Sequence, residues 1–166
     1  NIVLDPVMVS TSGCDLIDKT AADALKDILM PLADIVTPNI SEAEVLCGFS
    51  IPCREAMTDA AFALARQCGK AVLIKGGHLA GCADDLLVSG GKAIWFKGEK
   101  INTKNTHGTG CTLSSAIAAN LAAGLTILES VGKGKQFVYE ALKSGIDTGK
   151  GCGPLNHLYR NVFHDQ

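Results

Sequence analysis

The sequence predicts an α/β sandwich with a mostly parallel sheet and a small antiparallel edge. Short strand-like runs of Ile, Val and Leu alternate with helical patterns along most of the chain. The run at 71–75 is almost wholly apolar, which is typical of a strand covered on both faces of its sheet. Gly90-Gly91, between two strand-like segments, is a hairpin signal and predicts the antiparallel edge.

The composition predicts one globular domain and argues against some classes of partner. Of the 166 residues 47% are apolar, which suffices for a sizeable core and argues against disorder. A net charge of −2 without a basic run argues against nucleic-acid binding. No apolar run approaches the ~18–20 residues that span a bilayer, and no signal peptide is recognisable. We therefore expect a cytoplasmic protein that binds neither nucleic acid nor membrane.

The cysteines give no sign of a disulfide framework or a zinc site. Their number is odd, their spacing is irregular and no C-x-x-C occurs. We expect most of them to be small buried hydrophobic residues in a reducing compartment. They are Cys14, Cys47, Cys53, Cys68, Cys82, Cys111 and Cys152.

The first 30 residues predict a strand and a helix. Residues 1–5 have the pattern of a buried strand that ends before Pro6. Asp18 is a suitable cap for a helix over 19–30. Four apolar residues of that helix fall on one face and are expected to face the core: Ala22, Leu25, Ile28 and Leu29.

Residues 35–68 predict a strand and two helices, at 35–36, at about 42–48 and at 54–68. We expect Ser41 to cap the first helix, Glu44 to complete a capping box and Gly48 to end the helix. The second helix is expected to turn four residues inward: Ala61, Leu64, Ala65 and Cys68.

The rest of the chain predicts a strand, a hairpin and two long helices. A glycine-rich loop is expected at 149–154. The elements are the strand at 71–75, hairpin strands at 85–89 and 93–97, a helix from Cys111 to Ala123 and a helix at about 127–144.

Residues 105–111, Asn-Thr-His-Gly-Thr-Gly-Cys, are the most informative stretch. A glycine-rich turn that opens a helix leaves backbone N–H groups unpaired at the positive end of the helix dipole, where a phosphate can bind. Thr106, His107 and Thr109 can donate hydrogen bonds to phosphate oxygens. Cys111 in the first turn lies in the same field, which favours thiolate over thiol. The alternative is a structural glycine turn with Cys111 buried.

Polar side chains follow several predicted strands, and ligands gather at such strand ends in α/β sheets. Asn39 and Glu42 lie just after one strand and can hold the water shell of Mg²⁺, or else simply cap a helix. Asp5 ends the first strand and is either a second group near the metal or a turn residue. Lys75, followed by Gly76, suits a nucleotide phosphate or is a solvated strand end.

Residues 145–150 resemble a Walker loop but do not match it. Three residues rather than four separate the glycines, and Gly151 stands where Ser or Thr is needed. No Gly-x-Gly-x-x-Gly follows a strand, so a dinucleotide site is not supported either.

Taken together, these segments resemble the ribokinase superfamily and, within it, the hydroxymethylpyrimidine and phosphomethylpyrimidine kinases of thiamine biosynthesis. The block around Cys111 is the most specific, because many sugar kinases of the superfamily carry Asp at this position. The matching segments are Asp5-Pro6-Val7-Met8-Val9 with Ser12-Gly13, Thr37-Pro38-Asn39 with Glu42-Ala43-Glu44, Lys75-Gly76-Gly77-His78, residues 105–114 and residues 149–157.

The resemblance implies a ribokinase-like three-layer α/β/α fold, ATP and Mg²⁺ as cofactors and a substituted pyrimidine as substrate. It implies that Gly108, Thr109, Gly110 and Cys111 form the anion hole, and that Cys111 is the catalytic base for the substrate hydroxyl. The superfamily often forms dimers, so a homodimer is also expected.

The resemblance also assigns roles to the strand ends. Asn39 and Glu42 match an N-x-x-E element associated with Mg²⁺ and phosphate, with Asp5 near the metal. Lys75 and Gly76 would lie along ATP. Thr106 and His107 would shape the phosphate end.

Residues 1–166 look like the C-terminal part of such a kinase, a single partial domain that binds ATP and carries the catalytic groups. The pyrimidine pocket of the family is built largely from segments before Asp5. Three alternatives stay open: a pyridoxal kinase of the same superfamily, a non-catalytic nucleotide-binding domain, and a flavodoxin-like scaffold whose glycine turn is only structural.

Overall fold

The computed structural model describes residues 1–8, 17–77, 83–146 and 150–159. They belong to two compact units, Asn1–Lys100 and Ile101–Gln166. Several positions singled out in the sequence lie outside the described residues: Val9, Ser12, Gly13, Cys14, His78, Cys82 and Gly149. Within the described ranges, no helix is long and apolar enough to cross a bilayer.

In its described residues, the first unit contains a five-stranded sheet and three α-helices. The strands are β1 (Val3–Leu4), β2 (Ile35–Val36), β3 (Ala71–Ile74), β4 (Asp85–Ser89) and β5 (Lys92–Phe96). The helices are α1 (Lys19–Ala24), α2 (Ile40–Cys47) and α3 (Arg54–Cys68).

The five strands follow one another across the sheet in chain order. β1, β2 and β3 pair in parallel, whereas β3, β4 and β5 pair antiparallel. The predicted hairpin is confirmed, and its turn depends on Gly90 and Gly91, whose φ angles are 56° and 73°. All four residues of β3 are buried, as its apolar run predicts.

The predicted inward face of α3 is confirmed at three positions. Ala61, Leu64 and Cys68 are buried, and Ala65 is half-buried. Their neighbours Met57 and Ala60 complete the buried stripe, which belongs to the same core as β3 and β4. The helix thus covers the sheet that carries the strand ends described below.

The predicted helix over 19–30 begins as expected but changes its geometry. Asp18 caps it by accepting a hydrogen bond from the Ala21 N–H at 2.8 Å. After α1 the chain continues as a π-helical turn, Leu25–Leu29, and a 3-10 turn, Met30–Leu32. The prediction that Ile28 and Leu29 face the core is wrong, since they are 62% and 48% exposed. The wider π turn rotates the later positions away from the α-helical face, and Met30 is buried instead.

The predicted cap of α2 is also wrong. The helix begins at Ile40, so Asn39 rather than Ser41 is the cap residue, and Glu42 rather than Glu44 completes the capping box. Both predicted cap candidates are residue types that favour this position, and the extended backbone of Asn39 decides between them. Gly48 ends the helix in a left-handed conformation (φ 77°), as predicted.

The second unit is built on two long helices, α4 (Thr109–Ala122) and α5 (Ile127–Lys143). They pack closely where α5 carries Gly134, because a Cβ there would lie 3.1 Å from Ile117 Cγ1. Thr126 and Glu129 form a capping box at the start of α5. The loop that leads into α4 and the segment after α5 complete the described part of this unit.

Candidate active site

The first unit gathers polar side chains at the carboxyl ends of its three parallel strands. Asp5 follows β1, Thr37 and Asn39 follow β2, and Lys75 follows β3. Glu42 joins them from the first turn of α2. We call these five residues the strand-end cluster. Parallel pairing brings the carboxyl ends of the strands to one edge, as the sequence predicts.

Lys75 lies between the two carboxylates of this cluster. Its Nζ donates to Asp5 Oδ1 at 2.7 Å and lies 4.0 Å from Glu42 Oε2. The three side chains are only 14%, 14% and 4% exposed. The hydroxyl of Thr37 also donates to Asp5 Oδ1, at 3.4 Å. One cation therefore balances two largely buried carboxylates.

Glu42 is at the same time a capping residue and a buried acid. Its Oε2 accepts the Asn39 N–H at 2.7 Å, and its own N–H donates to Asn39 Oδ1 at 2.8 Å. Burial raises the pKa of Glu42, against the opposing effects of the Asn39 N–H and the Lys75 charge. The capping function considered from the sequence is thus confirmed, and the carboxylate also belongs to the strand-end cluster.

The strand-end cluster fits a hydrated Mg²⁺. Carboxylate oxygens are the ligands that Mg²⁺ prefers, and it is usually held by one or two carboxylates while keeping several waters. Asp5 and Glu42 supply two carboxylates against one lysine charge. Among the described residues there is no group of three or more His, Cys, Asp or Glu side chains that would form a fuller protein cage.

Two adjacent acids, Asp84 and Asp85, hold the turn after Lys75. The Gly76 N–H donates to Asp85 Oδ1 at 2.9 Å, and a Cβ on Gly76 would lie only 1.8 Å from the Asp84 carbonyl oxygen. Asp84 in turn accepts from Arg54 at 2.6 Å, and the Arg54 guanidinium stacks 3.8 Å above the Trp95 ring. We did not predict these acids as site residues; the adjacent pair at the start of a hairpin strand was the available signal.

The second unit carries the glycine-rich turn that opens α4. Gly108 is the cap residue in a left-handed conformation (φ 83°), and the first intrahelical bond runs from Thr112 N–H to the Gly108 carbonyl at 2.9 Å. Within the described residues, the amides of Gly110 and Cys111 have no backbone acceptor. They are the unpaired N–H groups at a helix start that an anion can use.

The hydrogen-bond donors beside this turn are more often engaged with other groups of the chain than the sequence suggests. The Thr109 hydroxyl and N–H both donate to the Thr106 carbonyl, at 2.6 and 3.4 Å. The His107 N–H donates to the Gly153 carbonyl at 3.2 Å, and the Thr106 hydroxyl lies 3.4 Å from Cys152 Sγ. These bonds stabilise the shape of the turn, and they leave fewer donors available for a phosphate than the sequence predicts.

Cys111 is the third residue of α4 and is exposed. The alternative that it is buried is therefore wrong. So is the expectation that most cysteines are buried, because only Cys68 is buried among the five described ones. Three of them are exposed because they lie at the ends of elements or between them: Cys53 is the N-cap residue of α3, Cys111 lies in the first turn of α4 and Cys152 lies in a loop.

A cavity of about 890 Å³ lies beside Cys111 along α4 and α5. Of the residues that line it, only Gly108 and Cys111 were predicted as site residues. The lining residues of α5 belong to no recognisable sequence motif. The lining residues are Gly108, Cys111, Thr112, Ser115, Ala116, Ala119, Asn120, Lys133, Gln136, Phe137 and His157.

A family model described as phosphomethylpyrimidine kinase matches residues 1–156. The chain belongs to the phosphomethylpyrimidine kinase family. This confirms the resemblance on which the residue roles were assigned.

Curated relatives in this family are similar over nearly the whole chain. A hydroxymethylpyrimidine/phosphomethylpyrimidine kinase of Haemophilus influenzae is 41% identical over 161 residues, which cover 94% of this chain and 60% of the relative. The thiamine biosynthesis bifunctional protein ThiED of Geobacter sulfurreducens is 46% identical over 158 residues, 95% of this chain and 32% of the relative. The chain thus spans less than two thirds of the length of these relatives.

Solved structures of kinases confirm the ribokinase-like α/β fold class. Phosphomethylpyrimidine kinase (thiD) from Clostridium difficile has a TM-score of 0.72 and 42% identity, covering 84% of this chain and 56% of that one. The pyridoxal kinase from Staphylococcus aureus in complex with AMP-PCP has a TM-score of 0.87 and 32% identity, and the match covers 97% of this chain and 59% of that one.

Proposed function

We propose that the protein containing this chain transfers the γ-phosphoryl group of ATP to hydroxymethylpyrimidine, to its monophosphate or to both, in thiamine biosynthesis. One observation carries the proposal: the first turn of α4 combines two amides that have no backbone acceptor among the described residues with an exposed Cys111 beside a large cavity. Membership in the phosphomethylpyrimidine kinase family supports the choice of substrate. A kinase that consumes ATP in this pathway would act in the cytoplasm.

Phosphoryl transfer requires positioning and charge neutralisation more than covalent help. The Gly110 and Cys111 amides donate to oxygens of the migrating phosphoryl group, and the left-handed Gly108 keeps the turn open for it. Thr109, Thr106 and His107 keep the turn in shape.

Cys111 acts as the base for the substrate hydroxyl. Its sulfur accepts the hydroxyl proton as the substrate oxygen bonds to the γ-phosphorus and the bond from that phosphorus to the ADP oxygen breaks. The second phosphorylation needs no such deprotonation, because its acceptor is already an anion.

The strand-end cluster binds the charged cofactors. Asp5 and Glu42 would hold Mg²⁺ through its water shell, with Asn39 fixing Glu42. When bound, the ion neutralises phosphate charge. Lys75 and Gly76 lie along the nucleotide, with Lys75 supplying a positive charge for a phosphate oxygen.

Pyridoxal phosphorylation is the second candidate, and one observation favours it. Pyridoxal kinases from Staphylococcus aureus and Bacillus subtilis match this chain with TM-scores of 0.85 to 0.87, above the 0.72 of the phosphomethylpyrimidine kinase. The sequence identity orders them the other way, with 42% for the phosphomethylpyrimidine kinase and 32–33% for the pyridoxal kinases. We therefore place the pyrimidine first.

The test uses the intact protein with Mg²⁺ and ATP and offers hydroxymethylpyrimidine, its monophosphate and pyridoxal separately. Phosphorus NMR of the products is expected to show the pyrimidine mono- or diphosphate, with a higher kcat/KM than for pyridoxal. A higher kcat/KM for pyridoxal would favour the second candidate. ATP binding without turnover of any acceptor would contradict both and indicate a non-catalytic nucleotide-binding protein. Sedimentation of the same sample tests the expected homodimer.

A further inference from the structure

The segment at 152–157, which we call the strap, contacts the chain on both sides of the α4 turn. It belongs to a motif that the sequence analysis singled out but to which no role was assigned. The strap lies about 45 residues beyond that turn, yet most of its polar contacts fall on residues just before or just after it.

Before the turn, the strap contacts the loop at three positions, 104, 105 and 107. Cys152 Sγ donates to the Lys104 carbonyl at 3.0 Å, and the Gly153 carbonyl accepts the His107 N–H at 3.2 Å. Gly153 also packs against Asn105 so tightly that a Cβ would lie 2.3 Å from Asn105 Oδ1. The strap thus follows the loop that leads into α4 at van der Waals distance.

After the turn, the strap reaches the helix itself through one side chain. His157 Nε2 and the hydroxyl of Thr112 are 2.8 Å apart. Thr112 is 8% exposed and directly follows Cys111. The side chain of Leu155 is buried, at 2% exposed, and the Asn156 N–H donates to the Ala141 carbonyl of α5 at 3.2 Å, so the strap is anchored between its two contacts with the α4 region.

We propose that His157 is a positioning residue for the α4 turn. Its bond to Thr112 fixes the helix at the residue next to Cys111, while Gly153 fixes the loop before it. The turn is thereby held from both ends, so that the Cys111 thiol and the unpaired amides keep one orientation. The catalytic part of this inference rests on the proposed function.

Two pairs of variants test the bond itself. Thr112→Val removes the hydroxyl at nearly constant shape, whereas Thr112→Ser keeps it. His157→Gln keeps a polar group at about the reach of Nε2, whereas His157→Asn is too short. Asn156→Ala is the matched control within the strap, because its Oδ1 accepts only from the nearby Leu158 N–H among the described bonds.

Two measurements on the full-length protein are compared. Hydrogen exchange in the peptide over 105–115 is expected to become about tenfold faster in Thr112→Val and His157→Asn, as for one lost hydrogen bond. The kcat is expected to fall about tenfold in the same two variants with a smaller change in KM. Thr112→Ser, His157→Gln and Asn156→Ala are expected to stay near wild type, and the double variant Thr112→Val/His157→Asn to be no worse than either single one.

Additive losses in the double variant, or equal losses in His157→Gln and His157→Asn, would overturn the inference. So would unchanged hydrogen exchange at 105–115. The exchange measurement needs no substrate. If it follows the expected pattern while the wild-type protein phosphorylates none of the three acceptors, the proposed function fails and the positioning role of His157 stands.

Discussion

Lys75 Nζ lies 2.7 Å from Asp5 Oδ1, although 70 residues separate the two along the chain. The pair forms because parallel strands place the residues that follow β1 and β3 at the same edge of the sheet. Lys75 also lies within 4.0 Å of Glu42, so the pair is the link between two strand ends and a helix start.

Removing the lysine charge should destabilise the first unit. Lys75→Met leaves two largely buried carboxylates without a counter-charge, and we expect the free energy of unfolding to fall by about 3 kcal/mol. Asp5→Asn should lower the free energy of unfolding less, by about 1 kcal/mol, because the Lys75 charge still has the Glu42 carboxylate as a partner. Denaturant unfolding of both variants and of the double variant gives the coupling. Strictly additive losses would show that the ion pair contributes nothing.

Glu42 should make stability depend on pH. Its folded-state pKa is raised from the ordinary value of 4.5, chiefly by burial. Its contribution to stability is therefore fully present below the ordinary pKa and is lost as the pH rises through the folded-state pKa. In Glu42→Gln the amide oxygen can still accept the Asn39 N–H, but this group no longer ionises. The free energy of unfolding of wild type minus that of Glu42→Gln should fall as pH rises over this range. A difference that rises with pH would contradict the shift.

Gly76 and Gly77 should respond very differently to the same substitution. A Cβ on Gly76 would meet the Asp84 carbonyl at 1.8 Å, whereas no atom of the described residues lies within 4 Å of a Cβ on Gly77. We expect Gly76→Ala to lower the free energy of unfolding by about 3 kcal/mol, and Gly77→Ala to change it by less than about 0.5 kcal/mol. Thermal or denaturant unfolding measures both. Equal effects would show that the Asp84 contact does not constrain the turn.

Alanine substitutions at Gly108 and Gly124 distinguish the effect of backbone strain from an effect on nucleotide binding. The φ angles of the two glycines are 83° and 87°, and in the part of the chain that the structure describes no atom lies within 4 Å of a Cβ at either position. Alanine at either should cost about 1 kcal/mol of stability through the left-handed backbone. Only Gly108→Ala should also weaken ATP binding, because only Gly108 opens the α4 turn. Calorimetric titration of both variants with ATP tests this, and an equal loss of affinity would assign the effect to stability alone.

The sequence predicted those features that depend on nearby residues. Gly48, Gly90 and Gly91 mark a helix end and a turn because they supply positive φ angles on their own. Two suitable caps, Asn39 and Ser41, lie two residues apart, each followed three residues later by a glutamate, and the sequence prediction wrongly favoured Ser41 over Asn39. The family resemblance then brought Cys111 and the strand ends into one hypothesis.

Contacts over long separations were not predictable in this way. The bond from Thr112 to His157 and the contact of Gly76 with Asp84 depend on how distant segments pack. The π turn at Leu25–Leu29 breaks the spacing on which the predicted face of α1 depended. Such features follow from tertiary packing, which no window of sequence contains.

If Cys111 deprotonates the substrate hydroxyl, as proposed, the kcat of Cys111→Ala should differ between the two acceptors. In the full-length protein we expect kcat to fall by about 10²-fold or more with hydroxymethylpyrimidine. With the monophosphate, whose acceptor group is already an anion, we expect a much smaller loss. Equal losses with both acceptors would contradict a base and leave Cys111 as a part of the turn.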